Sequence, residues 1–154
     1  MDLGIYCLHP LVSLFGKPAA LKANAVLLDS GVDGEGSILL DYGDKEALIY
    51  YSKITDSSLP SEIQGEKGNI VIDKINLPEH VAIHYRDSTV EDISRPQLEN
   101  EMYYEVETFV DLIAAGKTES AINTYANSLI VSEIMETARK QTGIVFPADK
   151  KLVG

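Results

Sequence analysis

Three side chains near the start of the chain are spaced for joint chemistry. Asp2, Tyr6 and His9 stand four and then three residues apart, so on a helix all three project from one side. Such a polar stripe on an otherwise apolar helix is costly unless its groups are paired or face a wet cavity. A phenol and a carboxylate sharing a cavity could move protons to and from a substrate oxygen. A free phenol titrates at about 10, so Tyr6 would need a neighbouring cation to act as an acid–base group at neutral pH. No lysine stands close to Tyr6 in the sequence before Lys17. Spacing alone also admits a second account, in which Asp2 is a helix cap and Tyr6 belongs to the core.

Other candidate chemistry is weaker. Gly31-Val-Asp-Gly-Glu-Gly36 invites comparison with dinucleotide loops, but its order is G-x-x-G-x-G, it holds two acids, and a strand pattern follows it. A dinucleotide loop must follow a strand and open a helix, whose N-terminus takes the pyrophosphate. The segment reads as a turn, so no cofactor-binding residue is assigned in this chain. His80 and His84 fall in a strand-like run, where a spacing of four is about 13 Å, too far apart to share a metal. Cys7 has no basic neighbour in sequence to lower its thiol pKa and reads as a structural thiol. Glu99, Glu101, Glu105 and Glu107 read as the solvated face of a helix.

The elements that must position these residues follow from the periodicity. Residues 2–16 are apolar on nearly every side and end at Gly16, with Pro18 beyond. This reads as an enclosed helix, with a kink or a helix start near Pro10. Opening inside a buried element predicts that something upstream is missing or is supplied by another chain. From Ala19 to Ser94 the period is two. Strand patterns cover Ala19–Asp29, Ser37–Tyr42 and Glu46–Thr55, and shorter ones lie at Glu62–Gln64, Asn69–Asp73, His80–Arg86 and Thr89–Ile93. The connections are too short for crossover helices, so neighbours must be antiparallel. After Pro96 two helical stripes follow, Met102 to Ile113 stopped by Gly116, and Ala126 to Ala138 with Thr124 as N-cap and Gly143 as C-cap.

The expected architecture is α+β, an open, mostly antiparallel sheet with helices on one face, in a single domain spanning residues 1–154. In Glu46–Thr55, Ala47, Ile49 and Tyr51 oppose Leu48, Tyr50 and Ile54, so the strand is apolar on both sides. With helices on one face only, the other face predicts a protein–protein contact, most simply a homo-oligomer.

Composition narrows the function classes. A chain of 154 residues can bury about 70% of its unfolded surface. Twenty-four Asp and Glu against 13 Lys and Arg leave a net charge of −11, which argues against nucleic acid as a partner. The apolar runs are too short to span a membrane, and no basic-then-apolar leader opens the chain. One cysteine and three histidines give no internal disulfide and no dedicated zinc site. The expectation is an acidic cytoplasmic domain.

Several segments, taken in order, resemble one enzyme family. Asp2-Leu-Gly-Ile-Tyr-Cys-Leu-His9 through Leu14-Phe-Gly16 is similar to the segment that opens the C-terminal domain of the Gfo/Idh/MocA oxidoreductases, relatives of glucose–fructose oxidoreductase and inositol dehydrogenase. Further matches are Gly31-Val-Asp33, Ile63-Gln-Gly-Glu-Lys-Gly-Asn-Ile70, Tyr104-Glu-Val-Glu-Thr-Phe109 and Thr142-Gly-Ile-Val-Phe-Pro147. The likeness covers nearly the whole chain and is nearest to the dimeric dihydrodiol dehydrogenase branch.

The resemblance implies a two-domain enzyme of which this chain is the second part. An N-terminal Rossmann domain would bind NAD or NADP, and none is expected in this chain alone. The present domain would supply the substrate wall and the oligomer interface. Tyr6 occupies the position where inositol dehydrogenase-like members carry a histidine, and the dihydrodiol and glucose–fructose branches carry tyrosine there. By that match Tyr6 is the proton donor or acceptor, Asp2 orients the site and His9 takes a polar substrate-side position. The missing cation would be the lysine of the family's Glu-Lys-Pro segment, which this sequence lacks. The implied reaction is hydride transfer on a sugar, polyol or dihydrodiol, with the chain inactive alone. The alternative is a stand-alone, non-enzymatic oligomerising or carbohydrate-binding module.

Overall fold

The computed structural model describes residues 2–151, which divide into two compact units. The first comprises residues up to Asp56 together with those from Ala121 onward. It opens with a 3-10 turn, Asp2–Gly4, that runs into helix α1, Ile5–Phe15. Strands β1 (Ala20–Leu27), β2 (Asp33–Asp41) and β3 (Glu46–Ser52) form an antiparallel sheet in that order. Helix α3 (Tyr125–Gln141) closes the unit, and a second 3-10 turn, Pro147–Lys151, follows it.

The core lies between the helices and one face of this sheet. Ile38 pairs across the strands with Ile49, and Leu40 with Ala47, so alternate residues of β2 and β3 share one face. Ile38, Leu40, Ile49 and Tyr51 are buried there with Leu8 and Val12 of α1 and Val131, Ile134 and Ala138 of α3. The opposite face of β3 is open, with Leu48 exposed and Tyr50 73% exposed. The two-sided apolar pattern of β3 thus resolves into one buried and one open face.

Local chemistry accounts for the boundaries. Thr124 Oγ1 accepts the Asn127 N–H at 3.1 Å and so caps α3. Gly16 ends α1 at φ +75°, its N–H donating to Val12 C=O at 2.9 Å. The helix begins at Ile5 and runs through Pro10, which can give no N–H to the Tyr6 carbonyl. Only one stripe of α1 is enclosed, Leu8 and Val12, and Ile5, Tyr6 and Leu14 are exposed. The expected all-round enclosure is therefore not found among the described residues.

Two further contacts finish the unit. Strand β1 is an edge of its sheet, and the Gln141 amide pairs with it as a neighbouring strand would. Gln141 Oε1 accepts Ala23 N–H at 2.9 Å and Nε2 donates to Leu21 C=O at 3.2 Å. Arg139, buried at the end of α3, donates to Glu136, to Asp149 and to the Ile144 carbonyl, and its guanidinium lies 4.7 Å from the centre of the Phe146 ring. Asp149 also accepts Phe146 N–H at 2.7 Å. That bond, followed by the Arg139 contact, holds its carboxyl below the ordinary value. The closing Thr142-Gly-Ile-Val-Phe-Pro147 segment is thus folded around one paired guanidinium.

The second unit, Ser57–Ser120, carries its own antiparallel sheet in the order β4 (Ser61–Gln64), β5 (Gly68–Ile72), β6 (Val81–Tyr85) and β7 (Val90–Asp92). Helix α2, Tyr103–Ala114, belongs to this unit. The β-stretch of the chain therefore forms two sheets, every pairing in them antiparallel. Gly68 closes the β4–β5 hairpin where a Cβ would lie 2.5 Å from the His84 carbonyl oxygen. The second glycine of Ile63-Gln-Gly-Glu-Lys-Gly-Asn-Ile70 is thus required by close backbone approach.

Candidate functional site

The 3-10 turn that carries Asp2 is held against the end of β3. Gly4 is buried because the Tyr51 ring leaves no comfortable room, a Cβ at Gly4 falling 3.3 Å from it. Tyr51 itself is buried, and its hydroxyl has no hydrogen-bond partner among the described residues. Asp2 Oδ1 accepts Leu3 N–H at 3.1 Å and lies 2.7 Å from Lys53 Nζ, just past β3. The Lys53 hydrogen bond is the main cause holding the Asp2 carboxyl below its ordinary value.

Tyr6 lies one helical turn along. It is 54% exposed, so it is not a core residue, and its hydroxyl has no partner among the described residues. His9, the next member of the stripe, is half-buried. No hydrogen bond joins Asp2, Tyr6 and His9 to one another. Asp2 sits in the 3-10 turn and not in α1, so the even four-and-three spacing of a single α-helix does not extend to it. The turn thus presents an ion-paired carboxylate, and α1 an uncommitted phenol and an imidazole. A phenol that spends no hydrogen bond on the described residues can exchange one with a bound oxygen.

Sequence reasoning missed Lys53. It lies 51 positions from Asp2, and no local pattern marks a lysine just past a strand as a partner of the first turn. Cys7 is half-buried, and burial raises its thiol pKa, which suits a packing role. His84 lies in β6 and His80 just before it, both exposed. Gly31 turns the chain at φ +81° directly into β2, so the turn opens a strand and not a helix. Gly34 and Gly36 lie within β2, not in the turn. A Cβ at Gly34 would come 2.7 Å from Leu28 Cδ2, and one at Gly36 would come 2.3 Å from Tyr51 Oη. This segment does not fit a dinucleotide.

No family model matches the chain. Individual relatives do. Scyllo-inositol 2-dehydrogenase (NADP(+)) IolU of Bacillus subtilis is 53% identical over 150 residues, covering 97% of this chain and 46% of its own length. The uncharacterized oxidoreductase YgjR of Escherichia coli is 42% identical, covering 97% and 45%. The chain matches the C-terminal part of Gfo/Idh/MocA oxidoreductases. It spans about half the length of these curated relatives. Mouse trans-1,2-dihydrobenzene-1,2-diol dehydrogenase is 31% identical over 163 residues, so IolU shares more residues with this chain than that enzyme does. Among solved structures, UDP-N-acetylglucosamine 3-dehydrogenase GnnA of Acidithiobacillus ferrooxidans superposes with a TM-score of 0.74 at 18% identity, covering 92% of this chain and 46% of that one. That likeness shows a shared fold. Among the described residues, no helix is long and apolar enough to cross a membrane.

Proposed function

We propose that this chain is the substrate-binding and association part of an NAD(P)-dependent oxidoreductase that acts on a polyol, sugar or dihydrodiol. The relatives named for such substrates support the class, and IolU is itself named for scyllo-inositol and NADP(+). The observation that carries the reading is the exposed Tyr6 phenol, without a partner among the described residues, one turn from a carboxylate already held by a lysine. In this reading Tyr6 exchanges a proton with the substrate oxygen as alcohol and carbonyl interconvert. Asp2 holds the orientation of the turn, and His9 contacts a further hydroxyl. The coenzyme supplies the hydride chemistry and is bound by residues outside this chain, so the chain alone is inert. Turnover in a chimera, set against the isolated chain, tests this.

The open face of β3 is the proposed association surface, because Leu48 and Tyr50 lie exposed side by side with Leu39 across the pair. Sedimentation of the purified chain should then show an oligomer that Leu48→Asp dissociates. A wild-type chain that sediments only as a monomer would rule this surface out.

A further inference from the structure

The first turn of the chain is secured at two points by the end of β3. The Tyr51 ring lies against Gly4, and two residues later Lys53 reaches Asp2, with its ammonium 2.7 Å from Oδ1. Lys53 does not hang from a loose loop. Its N–H donates to the Gly34 carbonyl at 2.7 Å, extending the β2–β3 pairing by one bond. Directly before it, Ser52 Oγ accepts the N–H groups of Ile54 and Thr55 at 3.1 and 2.9 Å, which fixes the turn the chain takes there. The lysine is also the less exposed partner, 35% against 76% for Asp2, so the ammonium is the anchored group and the carboxylate the one it captures.

We infer that Lys53 is a positioning residue, which holds Asp2 in place and so orients the turn that leads into α1 and Tyr6. The inference rests on the reading of Tyr6 and Asp2 as the substrate-facing pair. An exposed ion pair adds little to global stability, so its consequence lies in orientation and local charge. Without the ammonium, Asp2 would stand as an uncompensated negative charge on the turn that leads into α1, in a chain already carrying −11. With it, the pair is neutral as a unit.

The test is a carbon-detected NMR titration of the full chain, following the Asp2 carboxyl and the Tyr6 ring in wild type, Lys53→Met and Lys53→Arg. Leu8 methyl signals report whether each variant is folded. In Lys53→Met the Asp2 midpoint should rise toward the ordinary carboxylate value and the Tyr6 ring signals should shift. Lys53→Arg should restore both, and 1 M salt should move the wild type in the direction of Lys53→Met. An Asp2 midpoint unchanged in a folded Lys53→Met variant overturns the inference, as does a Tyr6 ring that does not respond. A polyol that leaves the Tyr6 and His9 signals unmoved in wild type would count instead against the substrate reading, with the Lys53–Asp2 link still standing.

Discussion

Replacing Tyr6 with Phe, in a chimera that joins this chain to the part of IolU it does not match, should lower kcat by roughly 10²–10⁴-fold, the range for losing one acid–base group. The change removes one oxygen and nothing from the core. Tyr6 is more than half exposed and its hydroxyl bonds to nothing within the described chain, so the melting temperature should stay within about 1 °C. Steady-state kinetics and a thermal melt on the same preparation read both quantities. A loss of rate together with a loss of stability would point to packing. An unchanged rate would remove Tyr6 from the chemistry.

The largest expected effect on stability lies beneath that turn. Leu8 is fully buried, and with Val12 it is the enclosed stripe of α1 against Ile38 and Leu40. Leu8→Ala removes three carbons and leaves a cavity that a sheet-backed core can only partly close. The cost should be about 2–5 kcal/mol. In a unit this small that corresponds to roughly 10–40 °C in melting temperature. Urea denaturation followed by circular dichroism checks it. Leu48→Ala, on the open face, offers the contrast in monomer stability, at about 0.5 kcal/mol or less. Equal effects from the two would mean that the buried and open faces have been assigned wrongly.

Much of this arrangement was legible in the residues because it rests on short-range periodicity. The alternation of Ile49 and Tyr51 with Leu48 and Tyr50 marks two faces of a strand, and Thr124 and Gly143 mark the ends of a helix whatever surrounds them. Glycine was the weaker guide. Gly34 and Gly36 read as turn residues, yet they lie in β2, where Leu28, Ile54 and Tyr51 occupy the space that a side chain would take. That requirement comes from partners up to 20 residues away and leaves no trace in the local pattern. The same limit hid Lys53, whose bond to Asp2 exists only once the helix and three strands between them have folded. It also hid the division of the strands into two sheets, since alternation describes each strand and not which strands pair. The Tyr6 stripe was visible because it is local to one helix. The 3-10 geometry at Asp2, which departs from that stripe, was not.

On the proposed reading, this chain holds the proton-exchanging half of a redox site whose coenzyme is carried elsewhere. The most direct measurement is NADPH oxidation on addition of an inosose, with the purified chain and the IolU chimera assayed side by side at matched concentration. Turnover is expected in the chimera and none above background in the chain, because separating the two halves forfeits the proximity that makes such a reaction fast. Oxidation by the chain alone would contradict that reading, and so would a folded, coenzyme-binding chimera with no activity toward any polyol, sugar or dihydrodiol substrate.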